Sequence, residues 1–552
     1  MIKPKVPFEF DEKESLVRIP VNATYHSNMR SPSWAFGTRE SADYAIRCLG
    51  SPAEEDHRIG RKILERLLAL QTTDPTDLHY GIWGWYAEEP PREMSPADWN
   101  WADFIGIRLL QILHDYSDRL SSDLAQRTRM AAGHAAWAIF RRNVGPGYTN
   151  ICAMGAVVCL VAGEMFADAR LFDYGLRRLR NLRSAFEFHG GFAEYNSPTY
   201  TIVLIEELER LLHLAKCPEA CDHAIDLLSF VWQLIAEQFH PGTGQWGGPQ
   251  SRSYQDWLDV EKVKFLEARL GEPLAVQPLI ANADDHVEMG FPYSCPESIR
   301  GRFFQLPDAS GQHRHIWTKQ TNWIPDKIST TWFSGEATLG SMNEECMWDQ
   351  RRVVLGYWVS PRQAFSRVRL RVLHNGHDFV SARVRNIQDN SRILTGFNFA
   401  AGEGDYHPNL DRPPSGTFLT WDLRIRYEVE GPEAEVRELA ADLFELSAGS
   451  FKIILRTGSL RFDGKIVDGW KMDHEGALVW LEGVFYSGPE RPFNPQTFGE
   501  CTTAVALELL PIGQELSQAP MEEAECGDER VFRCHLKPVM EVRIPRSAPQ
   551  FV

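Results

Sequence analysis

Apolar residues recur at intervals near 3.6 through the first half of the chain and at intervals of two through much of the second. The first spacing predicts helices over 42–49, 54–70, 102–116, 122–141, 151–166, 169–186, 199–214, 219–239 and 255–270, with short Gly, Pro, Asn and Asp loops between them. Consecutive antiparallel pairs of this kind predict an α/α toroid, an incomplete barrel of helical hairpins. The pattern breaks between 272 and 300, where Pro273, Pro278, Pro292 and Pro296 sit in a helix-poor connector. Beyond it, alternation over 366–373, 423–429, 451–455 and near 539–544 predicts an antiparallel β-sandwich. The expected fold class is therefore α+β and multidomain, with a toroid over 1–285 and a sandwich over 286–552.

Composition adds exclusions. A chain of 552 residues is too long for one core. A net charge of −17 argues against nucleic acid as a partner. The ten cysteines lack CxxC pairs or His spacing, which fits free thiols and neither a disulfide frame nor a zinc site; no metal and no cofactor is expected. Residues 1–7 carry no apolar signal core, and no run of about 18 apolar residues is evident. No membrane partner and a cytoplasmic location are expected.

Four polar clusters fall at predicted helix ends. The first joins Trp83, Trp85, Glu88 and Glu89 to Asp98, Asn100, Trp101 and Asp103, an aromatic wall with carboxylates suited to stacking on sugar rings. The second is Gly147-Tyr148-Thr149-Asn150. The third is 189–200, where Glu194, Tyr195 and Tyr200 crowd a Gly-opened loop that Ser197 or Thr199 can turn into a helix start. The fourth, 244–254, holds Trp246, Arg252 and Tyr254. Each has a structural alternative: Asn150 as a helix cap, the tyrosines at a core edge, Glu194 paired to an arginine, and any one Trp in the core.

Taken in order, these clusters resemble the toroid polysaccharide lyases of the chondroitin AC and hyaluronate lyase type. Trp99-Asn100-Trp101-Ala102-Asp103-Phe104-Ile105-Gly106 is similar to their Trp-rich helix start, and Gly147–Asn150 to the loop bearing an essential Asn. Residues 190–200 resemble the loop carrying His and Tyr, and Ser251-Arg252-Ser253 a Ser-Arg loop. The resemblance implies a toroid-plus-sandwich build, shared with heparinase II/III-like and alginate lyases. Two positions depart from it: Tyr195 stands where that family has His, and Leu204 where it has its catalytic Tyr. The base is then Tyr200 or Tyr195, or a histidine from the β half, where His313, His315, His374 and His377 are available.

The implied chemistry is β-elimination on an anionic glycan or oligosaccharide. Asn150 and Arg252 would neutralise the uronate carboxylate, and a base would take the C5 proton. A tyrosine base working near neutrality needs a pKa about three units below its usual value near 10, worth about 4 kcal/mol, part of which Arg252 can supply. Arg351, Arg352, Arg367, Arg369 and Arg371 are expected to form a basic rim, and Trp83, Trp85, Asn100, Trp101, Trp246, Tyr254, His315 and His374 to contact the substrate. The alternative is a glycoside hydrolase using Glu194 with a carboxylate of 88–103. A glycan-binding protein without catalysis, or an epimerase of related build, is the third reading.

Overall fold

The helices form where the 3.6 spacing places them. They are α1 (Thr38–Gly50), α2 (Glu54–Leu70), α3 (Asn100–Asp115), α4 (Ser122–Arg142), α5 (Thr149–Phe166), α6 (Ala169–His189), α7 (Tyr200–Leu214), α8 (Pro218–Gln238) and α9 (Val260–Leu270). Helix α9 starts five residues later than its apolar pattern because Asp259 caps it, accepting from the backbone N–H groups of Glu261 and Lys262. The computed structural model describes residues 9–21, 26–276, 291, 293–321, 326–360 and 364–548. Residues 1–7, Pro278 and Pro292 lie outside the described residues.

The chain packs into two compact units assembled from separate stretches. One comprises Met1–Glu187, Val203–Phe230 and Ala283–Tyr293; the other comprises Phe188–Ile202, Val231–Asn282 and Ser294–Val552. In the first, α1, α3 and α5 pack on one another in chain order, and α2 and α4 back them. Burial follows that order: α3 and α5 are buried on nearly all sides, while α2 and α4 bury one stripe. This inner and outer layering of helical hairpins is the one expected of an α/α toroid. Helix α5 corrects one sequence expectation, because its 18 residues have a mean hydropathy of 1.6, enough by length and composition to cross a membrane. Its window is 83% buried among the other helices, so it is a core helix here. A three-stranded antiparallel sheet (Glu9–Asp11, Leu16–Pro20, Trp34–Gly37) precedes α1.

The second unit holds α9 and the β-rich half. A nine-stranded sheet and a seven-stranded sheet are both antiparallel throughout, and a three-stranded sheet covers part of the latter. In the large sheet, Ala364–His374 lies between Val354–Ser360 and Phe418–Glu430, pairing Val368 with Gly356 and with Val429. Alternation puts Val368, Leu370 and Val372 in the core.

Arg367, Arg369 and Arg371 take the other face, and they form no basic rim. Arg367 and Arg369 reach Asp256 at 3.2 and 3.3 Å, Arg371 reaches Asp378 at 2.7 Å, and Arg352 also binds Asp256. Burial would push the Asp256 carboxyl up, but Arg352, Arg369 and Arg367 hold it well below the usual range. Arg351 pairs with Glu345 at 2.9 Å. These guanidiniums are neutralised within the unit. All ten cysteines are free thiols.

Candidate functional site

The loop before α7 and the loop between α8 and α9 are stitched together by small polar side chains of the second unit. Asn196, at φ 42°, donates its amide to the carbonyls of Gly247 and Pro249, both at 2.8 Å, and accepts from the Trp246 indole at 2.6 Å. Ser251 donates to the Tyr195 carbonyl at 2.6 Å, and Ser197 donates to the Arg252 carbonyl at 2.5 Å. Ser197 also caps α7, accepting from the Tyr200 N–H at 3.0 Å, which fixes where the Tyr200 side chain leaves the helix. Gly248 has φ +76°, and a Cβ there would lie 2.4 Å from the Gln238 amide oxygen. Only glycine lets this loop lie so close to its neighbours. Gln250 and Arg352 then exchange backbone hydrogen bonds at 2.9 Å, tying the loop to the β-rich segment.

On this frame Arg252 gathers the polar groups. Its Nη1 donates to Glu194 at 3.1 Å, its Nε to the Gln350 amide oxygen at 2.9 Å, and its Nη2 to the Tyr200 phenol oxygen at 2.9 Å. Its guanidinium lies 4.2 Å from the Tyr200 ring centroid and 4.9 Å from that of Trp348. The Tyr200 hydroxyl is 2.6 Å from the hydroxyl of Tyr254, a residue 49% exposed. Tyr200 thus receives an N–H from a cation on one side and shares a proton with a solvent-facing phenol on the other. This arrangement can hold, release and replace a proton.

Tyr195 is placed differently. It is 2% exposed and donates to Glu345 at 3.3 Å. Burial, then the charge of Glu345, push its phenol well above the usual tyrosine range. Glu345 is itself drawn down to about 2: burial would raise it, but Arg351 and Lys327 outweigh burial. A phenol facing a permanent carboxylate is held protonated, so the geometry weighs against Tyr195 as a base. Among the histidines, His315 contacts the Gly190 carbonyl at 2.8 Å, a brace for the loop. His313 pairs with Gln238 at 2.9 Å.

His374 is buried between Asp405 at 2.7 Å and Thr420 at 2.8 Å, and His377 meets the same Asp405 oxygen at 2.7 Å. The ligand atoms of His374, His377 and Asp405 lie within 4.8 Å of one another, a donor set able to take a divalent ion. A cavity of about 480 Å³ adjoins His377 and Asp405 and includes Trp421 in its lining.

The first unit carries the other candidates. Trp85 stacks on Trp101 at 5.2 Å and donates its indole N–H to Asp98 at 3.1 Å. Asn100 donates to the Tyr148 hydroxyl at 3.1 Å and accepts from Arg142 at 2.6 Å. Asn150 is buried inside the first turn of α5, whose cap position is Tyr148, so it does not serve as the cap. Arg178 braces that turn, donating to the carbonyls of Ile151 at 2.8 Å and Cys152 at 3.0 Å. Asp103 lies nearby on α3, and burial pushes its carboxyl up to about 7 against the pull of Arg178 and Arg142.

Two expected sugar platforms give way. Trp83 and Trp246 are 0% and 2% exposed, and a ring with no open face cannot stack on a sugar. Arg142, Trp348, Gln350 and Glu345 escaped the sequence reading as site groups. Arg351 and Arg352 beside them stood out only as charge.

Residues 21–263 match a family model described as a domain of unknown function, DUF8769. No curated protein matches the chain in sequence. Among solved structures the chain is similar to a heparinase III, at 8% identity over 92% of this chain and 82% of that one, with a TM-score of 0.42. It is also similar to the chondroitin AC lyase of Streptomyces coelicolor A3 in complex with chondroitin sulphate, at 10% identity over 90% and 78% of the two chains, with a TM-score of 0.44.

Proposed function

We propose that this chain is a glycan lyase that cleaves a uronic-acid-containing oligosaccharide or polysaccharide by β-elimination. The observation that carries the reading is the Tyr200 phenol oxygen, held by the Arg252 guanidinium at 2.9 Å and by the exposed Tyr254 hydroxyl at 2.6 Å. Tyr200 takes the C5 proton and returns a proton to the departing O4; Tyr254 links it to solvent. Arg252, braced by Glu194, and Asn150 offset the charge that develops on the uronate carboxylate. Asn150 and Arg252 belong to different compact units and are joined in this proposal by their chemistry alone. Trp85 and Asn100 are proposed as sugar contacts, with Trp101, buried and stacked beneath Trp85, as the support of that ring. The order of the four loop motifs supports the same assignment.

The test is incubation with a panel of uronate glycans while following the near-ultraviolet absorbance of the unsaturated product. Tyr200→Phe and Asn150→Ala are each expected to lower that rate at least about 100-fold. New reducing ends without absorbance would instead favour hydrolysis, with Glu194→Gln as the fatal change. Against hydrolysis stands the 3.1 Å pairing of Glu194 with Arg252, which occupies that carboxylate.

A further inference from the structure

Helices α3 and α7 end side by side on the helical unit, each finishing on a histidine-bearing turn. His114 Nδ1 and His213 Nε2 both lie 2.7 Å from the same Oδ1 of Asp115. The two imidazole rings are 5.1 Å apart, crossed at 68°. Phe291 stacks on the His213 ring at 3.8 Å and 14°, setting its plane. The ligand atoms of all three residues lie within 4.8 Å of one another. The side chains are partly open to solvent, at 33% for His114, 14% for Asp115 and 31% for His213.

We propose that His114, Asp115 and His213 form a binding site for a divalent transition-metal ion of the Zn²⁺ class. Two imidazole nitrogens and one carboxylate oxygen are a donor set for such ions and not for Mg²⁺ or Ca²⁺, which take oxygen. Two nitrogens already converge on one oxygen. A tetrahedral ion with bonds of about 2.0–2.1 Å needs its ligands roughly 3.3 Å apart, so the partly exposed side chains open by about half an ångström to admit it. Three protein ligands leave one position for water. Both helices also present their C-terminal carbonyl ends here, which favours a cation. A bound ion cross-links α3 to α7 through residues about 100 positions apart in the chain.

The experiment uses the full chain stripped with a chelator and titrated with Co²⁺, read by its visible absorption, and with Zn²⁺, read by calorimetry. The wild type is expected to show a binding step that is lost in His114→Ala/His213→Ala. In Asp115→Asn the step should weaken by at least the roughly 10–100-fold that loss of an outer-shell partner costs. His377→Ala, which disables the His374–His377–Asp405 group, is expected to keep the step. The proposal is overturned if the double variant binds as many equivalents as the wild type, or if His377→Ala alone removes the step. Anomalous scattering from Zn²⁺-soaked crystals of the unmodified protein gives a reading independent of any variant. A peak between the three side chains supports the site, and peaks only elsewhere reject it.

Discussion

A phenol becomes a base only when its oxygen is an acceptor, and the two tyrosines of the 190–200 loop differ in that respect. Tyr200 accepts from Arg252, whereas Tyr195 donates to a buried carboxylate. Tyr195→Phe should therefore leave elimination within about an order of magnitude of wild type while costing roughly 1 kcal/mol of stability. Tyr200→Phe should do the reverse, and steady-state rates beside denaturant melts separate the two. Asp103 supplies a second prediction. Its carboxyl, raised to about 7, binds a proton more tightly folded than unfolded. The stability this gives is complete below about pH 4 and is lost as pH rises through about 7, a change of order 4 kcal/mol for a shift of about three units. Denaturant unfolding at pH 5 and pH 8 should show a steeper loss for wild type than for Asp103→Asn; equal slopes would clear Asp103 of the effect.

At the scale of the element, α5 and α6 approach so closely that glycine is required on both. A Cβ on Gly163 would lie 2.3 Å from the backbone nitrogen of Phe172, and one on Gly175 would lie 2.4 Å from that of Leu160. On an open helix Gly→Ala gains up to about 1 kcal/mol. Here Gly175→Ala should lose about 1–3 kcal/mol or more, so the sign of the change in a chemical melt reports the packing.

Helices α2 and α4 were legible in the sequence because each buries one stripe, which period 3.6 records directly, whereas α3 and α5, buried on nearly all sides, were legible as long apolar stretches between polar loops. The sheet over 9–37 was not, since strands of three to five residues are too short to show a period. The site was half legible. Glu194, Tyr200 and Arg252 announce themselves as polar groups in Gly-rich loops. Gln350 and Glu345 do not, because they arrive through the backbone pairing of Gln250 with Arg352, across about 100 residues. The basic rim was misread for a related reason: alternation places Arg367, Arg369 and Arg371 on one face and says nothing of Asp256 waiting there.

At the scale of the whole molecule, the chain passes between its two compact units several times. A fragment ending near 285 keeps Arg252 but lacks Gln350 and the 345–352 segment on which the loop is sewn. A fragment beginning there keeps Arg352, Arg367 and Arg369 but lacks their shared anion, Asp256. Expressed alone, each should be insoluble or poorly folded by circular dichroism, and co-expression should recover soluble material. Within the full chain, Asp256→Asn should cost about 3–5 kcal/mol, because it removes the carboxylate that buried Arg352, Arg367 and Arg369 share, although Arg367 keeps Glu430 and Arg369 keeps Asp378.

The same carboxylate sets a clock on biosynthesis. Asp256 leaves the ribosome 113 residues before Arg369. At about 5–20 residues per second that is a wait of roughly 6–23 s. Through that interval the loop bearing Arg252 and Tyr254 has neither its β-strand partners nor a reason to exclude water. The nascent chain should therefore complete the start of its toroid early but bring Tyr200 and Tyr254 together late. Slowing translation after residue 270 should lengthen the period in which the newly made protein is sensitive to protease within 244–259, while α3 to α5 are already protected.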